Sequence, residues 1–336
     1  MRRILRLSVC APRGKLLGFG QRSERTLSDD DETNSDDIVT EEMLWERIPE
    51  VEGVDRANTY FELSARIYAR GQYDEALALA ETARDIYAEL GGSSPSDGLA
   101  QAYSAIGYNL NQLKRITEAA TAMSKAVELL RESKSPLAID LACTLGEWWF
   151  SSKEYAKTIE CMTECVQEHL VEGNESGAAN DLHLIGCAQI ELKSFEKALE
   201  AFQEARTYFK SLKEVINVAR CDQKIAHCLI EIGDGQAALS AAQKAVDVFV
   251  TAHDHHRETY SMLELGKAQI LAGQEEEGLI TLDRVLEIAT DAENKDFEFI
   301  VEIERRMATV LHALGRDDEA DEIERRIEAV AEIVED

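Results

Sequence analysis

The densest group of side chains with metal-ligand chemistry is a run of four residues, His253-Asp254-His255-His256. Three imidazoles and a carboxylate are donor types that a divalent transition metal accepts. The run stands between two repeated segments of the sequence, however, and adjacent residues of a turn point their side chains in different directions. We therefore interpret it as a solvated turn, and the sequence predicts neither a metal nor another cofactor.

Signatures of catalysis are absent from the sequence. It contains no glycine-rich phosphate loop, no Gly-x-Ser-x-Gly and no His-Glu-x-x-His. The many paired glutamates have the spacing of helix surface charges. Because no group of residues has assignable catalytic roles, the sequence predicts a protein that is not an enzyme.

The seven cysteines are odd in number and scattered along the chain. No two-residue cysteine spacing recurs, so the sequence contains no paired metal knuckles. Reduced thiols and a cytoplasmic location are the prediction.

The elements that must position any binding residue are helices in a repeated pattern. The stretch LHLIGCAQIELKSFEKALEAFQEA, residues 182–205, predicts two helices joined by a tight turn. Gly186 and Ala198 lie where the two backbones approach closely, and Phe202 fills the space between them. The small residue that opens the second helix recurs at spacings of 39 to 43 residues, as Ala76, Ala119, Thr158, Ala198, Ala238, Gly278 and Ala320.

A Leu-Gly-like pair recurs in register on each first helix, most clearly as Ile106-Gly107, Leu145-Gly146 and Ile185-Gly186. This pattern resembles the tetratricopeptide repeat, in a long variety with a period of about 40 residues instead of 34. Such repeats are similar to those of spindle-orientation adaptors, kinesin light chains and bacterial peptide-sensing regulators. The resemblance implies an all-α fold, a right-handed α-α superhelical solenoid of about seven helix-turn-helix repeats.

The predicted domain organisation has three parts. Residues 1–39 are a disordered leader, first basic and then acidic, and its basic part is either functional or the product of an upstream start codon. Residues 40–54 form a capping helix and linker, in which Thr40 is the N-cap and Met43, Leu44, Trp45 and Ile48 bury an apolar stripe. Residues 55–336 form the solenoid, with repeats at about 57–95, 96–135, 136–175, 176–215, 216–255, 256–295 and 296–336.

The formal net charge of −29 limits the possible partners. Nucleic acids require a basic face, and anionic membranes attract basic segments, so neither is predicted as a partner. The charge favours a basic or amphipathic protein segment, or it serves solubility alone.

The resemblance also implies which residues contact a ligand. In such repeats the first helices line a concave groove, and their exposed positions alternate with core positions. Carried over to this chain, the ligand-binding positions are Asn58, Phe61, Tyr68, Gln101, Tyr108, Asn111, Glu147, Asn180, His183, Arg220, Gln223, His227, Tyr260, Lys267 and Arg305. Amides suit a peptide backbone and aromatic rings supply apolar contact. For His183 and His227 a neutral hydrogen-bonding role is favoured over a pH switch.

These patterns predict a non-catalytic scaffold or adaptor that binds a protein or a peptide in the groove, as a monomer or with weak self-association. The alternative is a peptide-sensing regulatory protein whose superhelix changes shape when a ligand binds. A third possibility is a structural protein that assembles through its end repeats.

Overall fold

The computed structural model describes residues 40–91, 96–291 and 296–335, and within these ranges it contains helices and no strand. The predicted leader, residues 1–39, lies outside the described residues. The helices form two compact units, which divide between Glu168 and His169, inside one helix. Among the described residues, no helix combines the length and the apolar character needed to cross a membrane.

The first unit contains a short helix followed by successive helix pairs. Its helices are α1 (Glu41–Arg47), α2 (Gly53–Ala69), α3 (Tyr73–Leu90), α4 (Ser96–Gln112), α5 (Ile116–Glu132), α6 (Ala138–Ser151) and most of α7 (Tyr155–Val171), with a 3₁₀ turn at Ile48–Glu50. From α2 to α6 each helix packs on the next, and α2 also packs on α4. The first helices of neighbouring repeats are therefore adjacent here.

The second unit continues the same pattern from the end of α7. Its helices are α8 (Glu175–Glu191), α9 (Phe195–Ser211), α10 (Val215–Ile232), α11 (Gly235–Thr251), α12 (His255–Leu271), α13 (Glu275–Asp291), α14 (Phe297–Ala313) and α15 (Asp317–Glu335). Each of these packs on its successor, and α10 also packs on α12. The seven long helix pairs in the described ranges confirm the predicted all-α helical-repeat fold.

The turn inside each repeat contains one residue with positive φ. The residues at this position are Gly71, Lys114, Lys153, Lys193, Gly233, Gly273 and Gly315. A left-handed residue after a helix lets the following amides reach back to its last carbonyls. At the end of α4, Lys114 N donates to Asn111 O at 3.0 Å and Arg115 N donates to Leu110 O at 2.9 Å. Lysine therefore replaces glycine in three of these turns.

Small residues set how closely the paired helices approach. Gly186 on α8 faces the ring of Phe202 on α9, which is fully buried. A Cβ atom placed on Gly186 would stand 2.7 Å from Phe202 Cζ. The Leu-Gly position of the sequence pattern is thus a point of direct contact between backbone and ring.

The capping helix α1 begins as predicted but buries less than predicted. Thr40 caps it by accepting a hydrogen bond from Met43 N at 3.2 Å. Leu44 and Ile48 are buried in a cluster that includes Leu63. Met43 and Trp45, in contrast, are 52% and 44% exposed. The predicted four-residue stripe was therefore wrong for these two residues, because Leu44 and Ile48, four residues apart, share one face of the helix.

Candidate functional site

The predicted ligand residues of the first unit lie on α2, α4 and α6, and several contact other side chains of the chain. Asn58 Oδ1 accepts a hydrogen bond from the Tyr87 hydroxyl of α3. The Tyr68 hydroxyl accepts one from Gln112 Nε2 of α4 at 3.1 Å. The ring of Tyr68 also meets Tyr73 edge to face, with centroids 5.3 Å apart. These polar groups therefore link helices within the unit.

The remaining predicted residues of this unit are half-buried aromatic, amide and acidic side chains. Tyr108 stands edge-on to Trp148 of α6, with ring centroids 5.5 Å apart. Burial raises the pKa of Tyr108, so its hydroxyl stays protonated at neutral pH. The side-chain amides of Gln101 and Asn111 are half-buried and have no hydrogen-bond partner within the described ranges. The half-buried Phe61, which packs on the core, and the half-buried Glu147 complete the set.

The histidine run at the start of α12 has the structure of a helix beginning. Asp254 caps α12 by accepting a hydrogen bond from Arg257 N at 3.1 Å. His253 adopts a left-handed φ of 54° in the turn. His255 Nδ1 is 3.2 Å from Glu258 Oε2, and the ring of His256 meets that of Tyr260 edge to face. Each side chain is thus directed to a different neighbour.

In the second unit, His183 is enclosed between α8, α9 and α10. Its ring meets Phe202 edge to face at 5.2 Å, and its Nδ1 is 3.7 Å from Cys187 Sγ. Its Nε2 is buried and has no hydrogen-bond partner in the described part of the chain. Burial, and after it the charges of Arg220 and Lys224, hold the pKa of His183 well below its ordinary value. The imidazole is therefore neutral at pH 7.

Three side chains of α10, those of Arg220, Gln223 and Lys224, lie around His183 of α8. We call these four residues the basic face. Arg220 Nη1 donates to Asn217 Oδ1 at 3.0 Å. The half-buried Lys224 forms no ion pair, and the half-buried Gln223 amide makes no hydrogen bond, among the residues that the structure describes. Asn180 lies beside this face on α8, where its Nδ2 donates to Ser176 O at 2.7 Å.

A chain of charged contacts connects the first helices of repeats five, six and seven. His227 Nδ1 on α10 is 3.5 Å from Glu264 Oε2 on α12. Glu264 Oε1 is 3.3 Å from Lys267 Nζ, which lies 2.7 Å from Glu302 Oε1 on α14. We call these four residues the charged chain. The side chain of Lys267 is only 4% exposed, and that of Glu264 is 12% exposed.

The charged chain fixes the ionisation state of Glu264. Burial alone would raise the pKa of this carboxyl, but the contact with His227 and the charge of Lys267 outweigh burial and lower the pKa to about 2. Lys267 was expected from the sequence to offer a ligand a basic contact. Because its ammonium already pairs with two carboxylates of the chain, we leave Lys267 out of the ligand contacts proposed below.

The last two predicted residues lie apart from both groups. Tyr260 on α12 stacks against Phe299 on α14, with centroids 4.8 Å apart. Arg305 on α14 is exposed, and its guanidinium forms no ion pair within the described ranges. The predicted positions of the second unit thus fall into three groups. The first is the basic face with the adjacent Asn180, the second is the charged chain, which contains His227 and Lys267, and the third consists of Tyr260 and Arg305.

Sequence reasoning missed Lys224 and Glu264. Lys224 follows Arg220 at the four-residue spacing that places two side chains on one helix face, and this spacing was a usable signal. Glu264 precedes Lys267 by three residues, which is also a spacing at which helical side chains pair. The contact between Glu302 and Lys267 left no comparable signal, because it joins two different helices.

Comparisons with known proteins identify the fold. No family model matches the chain, and no curated protein matches it. Among solved structures, it is similar to a signal transduction ATPase with numerous domains from Pyrococcus horikoshii, which has a tetratricopeptide repeat sensor (TM-score 0.61, 16% identity). The match covers 87% of this chain and 45% of that protein, so this chain spans less than half of that relative.

Two further structures match over most of both chains. One is the apo form of RapI, with a TM-score of 0.53 and 15% identity over 83% of this chain and 99% of that one. The other is the apo form of the quorum sensor NprR from B. thuringiensis, with a TM-score of 0.50 and 11% identity over 86% and 92%. At these identities the likeness concerns the fold alone, which is a helical-repeat fold of the tetratricopeptide type.

Proposed function

We propose that this protein is a non-catalytic adaptor that binds a protein or peptide segment, and that the basic face on α8 and α10 is a principal contact. The observation that carries this proposal is a group of polar side-chain atoms without partners. The ammonium of Lys224, the amide of Gln223 and the buried Nε2 of His183 have no partner in the described part of the chain.

The energetics of these donors favour a ligand with an acidic group. Lys224 is a half-buried residue whose ammonium has no ion-pair partner in the described ranges, so an acidic group of a ligand would displace no carboxylate from it. A carboxylate from a ligand would accept charge-assisted hydrogen bonds from Lys224 and Arg220, each worth about 1.5–3 kcal/mol.

The neighbouring amides suit the backbone of the same ligand. The Gln223 amide has both a donor and an acceptor, so it can hydrogen-bond a peptide group whatever its side chain. The exposed guanidinium of Arg305 offers a second basic point in this unit. Because the remaining surface is acidic, we expect a ligand in which acidic residues are set within a basic or amphipathic segment.

A display selection with random peptides tests this proposal. The full chain and the Lys224→Glu variant would each be used to select from the same library of 12-residue peptides. Lys197→Glu is the matched control, because Lys197 is an exposed residue of α9 and the charge change is identical. We expect peptides with Asp or Glu to be enriched by the wild type and the control, and to bind Lys224→Glu about 10- to 100-fold more weakly.

Two results would contradict the proposal. If the wild type enriched no peptide, the basic face would not be a peptide site. If the enriched peptides bound Lys224→Glu as tightly as the wild type, binding would occur elsewhere on the chain. Circular dichroism of each variant establishes that the helices are intact before affinities are compared.

A second candidate function is that of a peptide sensor, in which binding changes the packing of the repeats. The charged chain favours it, because His227 lies one turn from Gln223 and Lys224 and contacts Glu264 of the next repeat. The similarity to RapI and to the quorum sensor NprR is compatible with it. Hydrogen exchange decides between the two functions: a sensor would change the protection of α12 and α14 when a selected peptide binds, and an adaptor would not.

The proposal includes a cytoplasmic location and a monomeric or weakly self-associating chain. Six cysteines in the described ranges are free thiols, which fits a reducing compartment. Light scattering over a range of concentrations would detect self-association.

A further inference from the structure

A mixed group of ligand-type side chains lies where α14 ends and α15 begins. His312 is in the last turn of α14, and Asp317, Asp321 and Glu324 lie along the first two turns of α15. Because the three acidic residues are four and three positions apart, they share one face of α15. The structure brings this face against the imidazole of His312.

The distances place the two nitrogens of His312 in different environments. Nδ1 is 2.8 Å from Asp317 Oδ1, and Nε2 is 3.4 Å from Glu324 Oε1. One ligand atom each from His312, Asp321 and Glu324 lies within 4.8 Å of the others. All three residues are exposed, so a hydrated ion could reach them from solvent.

We propose that His312, Asp321 and Glu324 form a binding site for a divalent transition-metal ion such as Zn²⁺. One imidazole nitrogen and two carboxylate oxygens are a donor set that such ions accept, and water would occupy the remaining positions. The imidazole separates this site from the oxygen-only sites of Ca²⁺ and Mg²⁺.

The position of Asp317 supports the assignment. Histidines that bind metals usually donate their other ring N–H to a carboxylate, which fixes the tautomer and the orientation of the ring. Asp317 stands in this relation to Nδ1 of His312 and leaves Nε2 for the metal. At the histidine run 253–256, His255 Nδ1 has a similar contact with Glu258, but no group of three ligand atoms converges there within the described residues.

A metal at this site would have a structural consequence. It would join the last turn of α14 to α15 through side chains of both helices. The ion would also reduce the repulsion among the carboxylates that share this face of α15. If Zn²⁺ binds the folded chain and not the unfolded chain, the melting temperature of the protein should rise with the concentration of free Zn²⁺.

The test is a Zn²⁺ titration of the full chain by calorimetry and by equilibrium dialysis. The variants are His312→Ala and Glu324→Gln, which remove ligands, and Asp317→Asn, which removes the orienting carboxylate. Asp318→Asn is the matched control, because Asp318 is an exposed neighbour on the same turn and the charge change is the same. Zinc held by thiols would appear equally in all variants, so the difference from His312→Ala counts the ions at this site.

We expect one Zn²⁺ per chain to be lost in His312→Ala and in Glu324→Gln, and Asp318→Asn to bind like the wild type. Asp317→Asn should bind about 10- to 100-fold more weakly. Equal uptake by the wild type and His312→Ala would overturn the proposal. Displacement of the bound Zn²⁺ by an equal concentration of Ca²⁺ would also overturn it, because the group would then act as an acidic cluster without the imidazole.

Discussion

The contact between Gly186 and Phe202 offers a direct test of how the repeat pattern sets helix packing. We consider the substitution Gly186→Ala, which adds a single methyl group. The three atoms nearest to that methyl are Cζ, Cε1 and Cε2 of the Phe202 ring, at 2.7, 2.8 and 2.9 Å. Real Cβ contacts do not occur at these distances, so the ring or the helix must move. Phe202 is fully buried, and its ring has little free space.

The expected magnitude is the balance of two opposing effects. Forcing an extra methyl into a packed core costs about 1–3 kcal/mol. Alanine is a better helix former than glycine by about 1 kcal/mol, which offsets part of this cost. We therefore expect Gly186→Ala to lower the free energy of unfolding by up to about 2 kcal/mol. In a Phe202→Leu background the three clashing ring atoms are absent, and the same substitution should raise stability by up to about 1 kcal/mol.

The assay is a double-mutant cycle measured by urea unfolding and by native-state hydrogen exchange. Repeat proteins can unfold in more than one step, so exchange of the α8 and α9 amides gives the local free energy where a single global value is not defined. The reversal of sign between the two backgrounds is the decisive result. An increase in stability when Gly186→Ala is made in the wild type would refute the close approach, and so would the same loss in both backgrounds.

Three further predictions concern single residues. Lys213 has a left-handed φ of 60°, which strains any residue that has a Cβ atom. Lys213→Gly should therefore raise the free energy of unfolding by about 0.5–1 kcal/mol, whereas Lys213→Ala should not raise it. Thermal melting of the two variants would show the difference. Glu264 has a pKa of about 2, depressed below its unfolded value of about 4.3, so its stabilisation is present above about pH 4.3 and is lost as the pH falls toward 2. Urea midpoints should therefore show Glu264→Gln less stable than the wild type at pH 7, by up to about 3 kcal/mol, with a smaller difference at pH 3. Lys267→Met should cost about 3 kcal/mol because it leaves Glu264 buried without its cation, and the double substitution Lys267→Met with Glu264→Gln should recover most of that loss in the same assay.

The fold was predictable from the sequence because its determinants are local and repeated. A small residue at the start of each second helix and a Leu-Gly-like pair on each first helix recur about every 40 residues. The contact partner of the glycine differs between repeats, since Gly186 meets Phe202, Gly146 meets Met162 and Gly266 meets Leu282. The left-handed lysines Lys114, Lys153 and Lys193 were not predicted, because lysine gives no turn signal, in contrast to glycine.

The candidate site was predictable only in part, because burial of its side chains depends on neighbouring repeats. One set of offsets, applied to every repeat, selects His183 on α8, Arg220 on α10 and Lys267 on α12. In α10 these offsets are half-buried, whereas in α12 every residue from 261 to 268 is buried. The difference arises where α12 receives side chains from two other helices, His227 of α10 and Glu302 of α14. A pattern read along one helix cannot contain this information.

This difference also determines where a ligand can act on the chain. A ligand group that bound Lys267 on α12 would have to displace Glu264 or Glu302, which would leave a buried charge without its partner. A ligand on α10 has no such penalty, because Lys224 has no competing partner in the described ranges. It would nevertheless lie one turn from His227, whose side chain is 29% exposed and contacts Glu264. Binding at the basic face can therefore affect the charged chain through His227 without entering it, which is why hydrogen exchange in α12 separates a sensor from an adaptor.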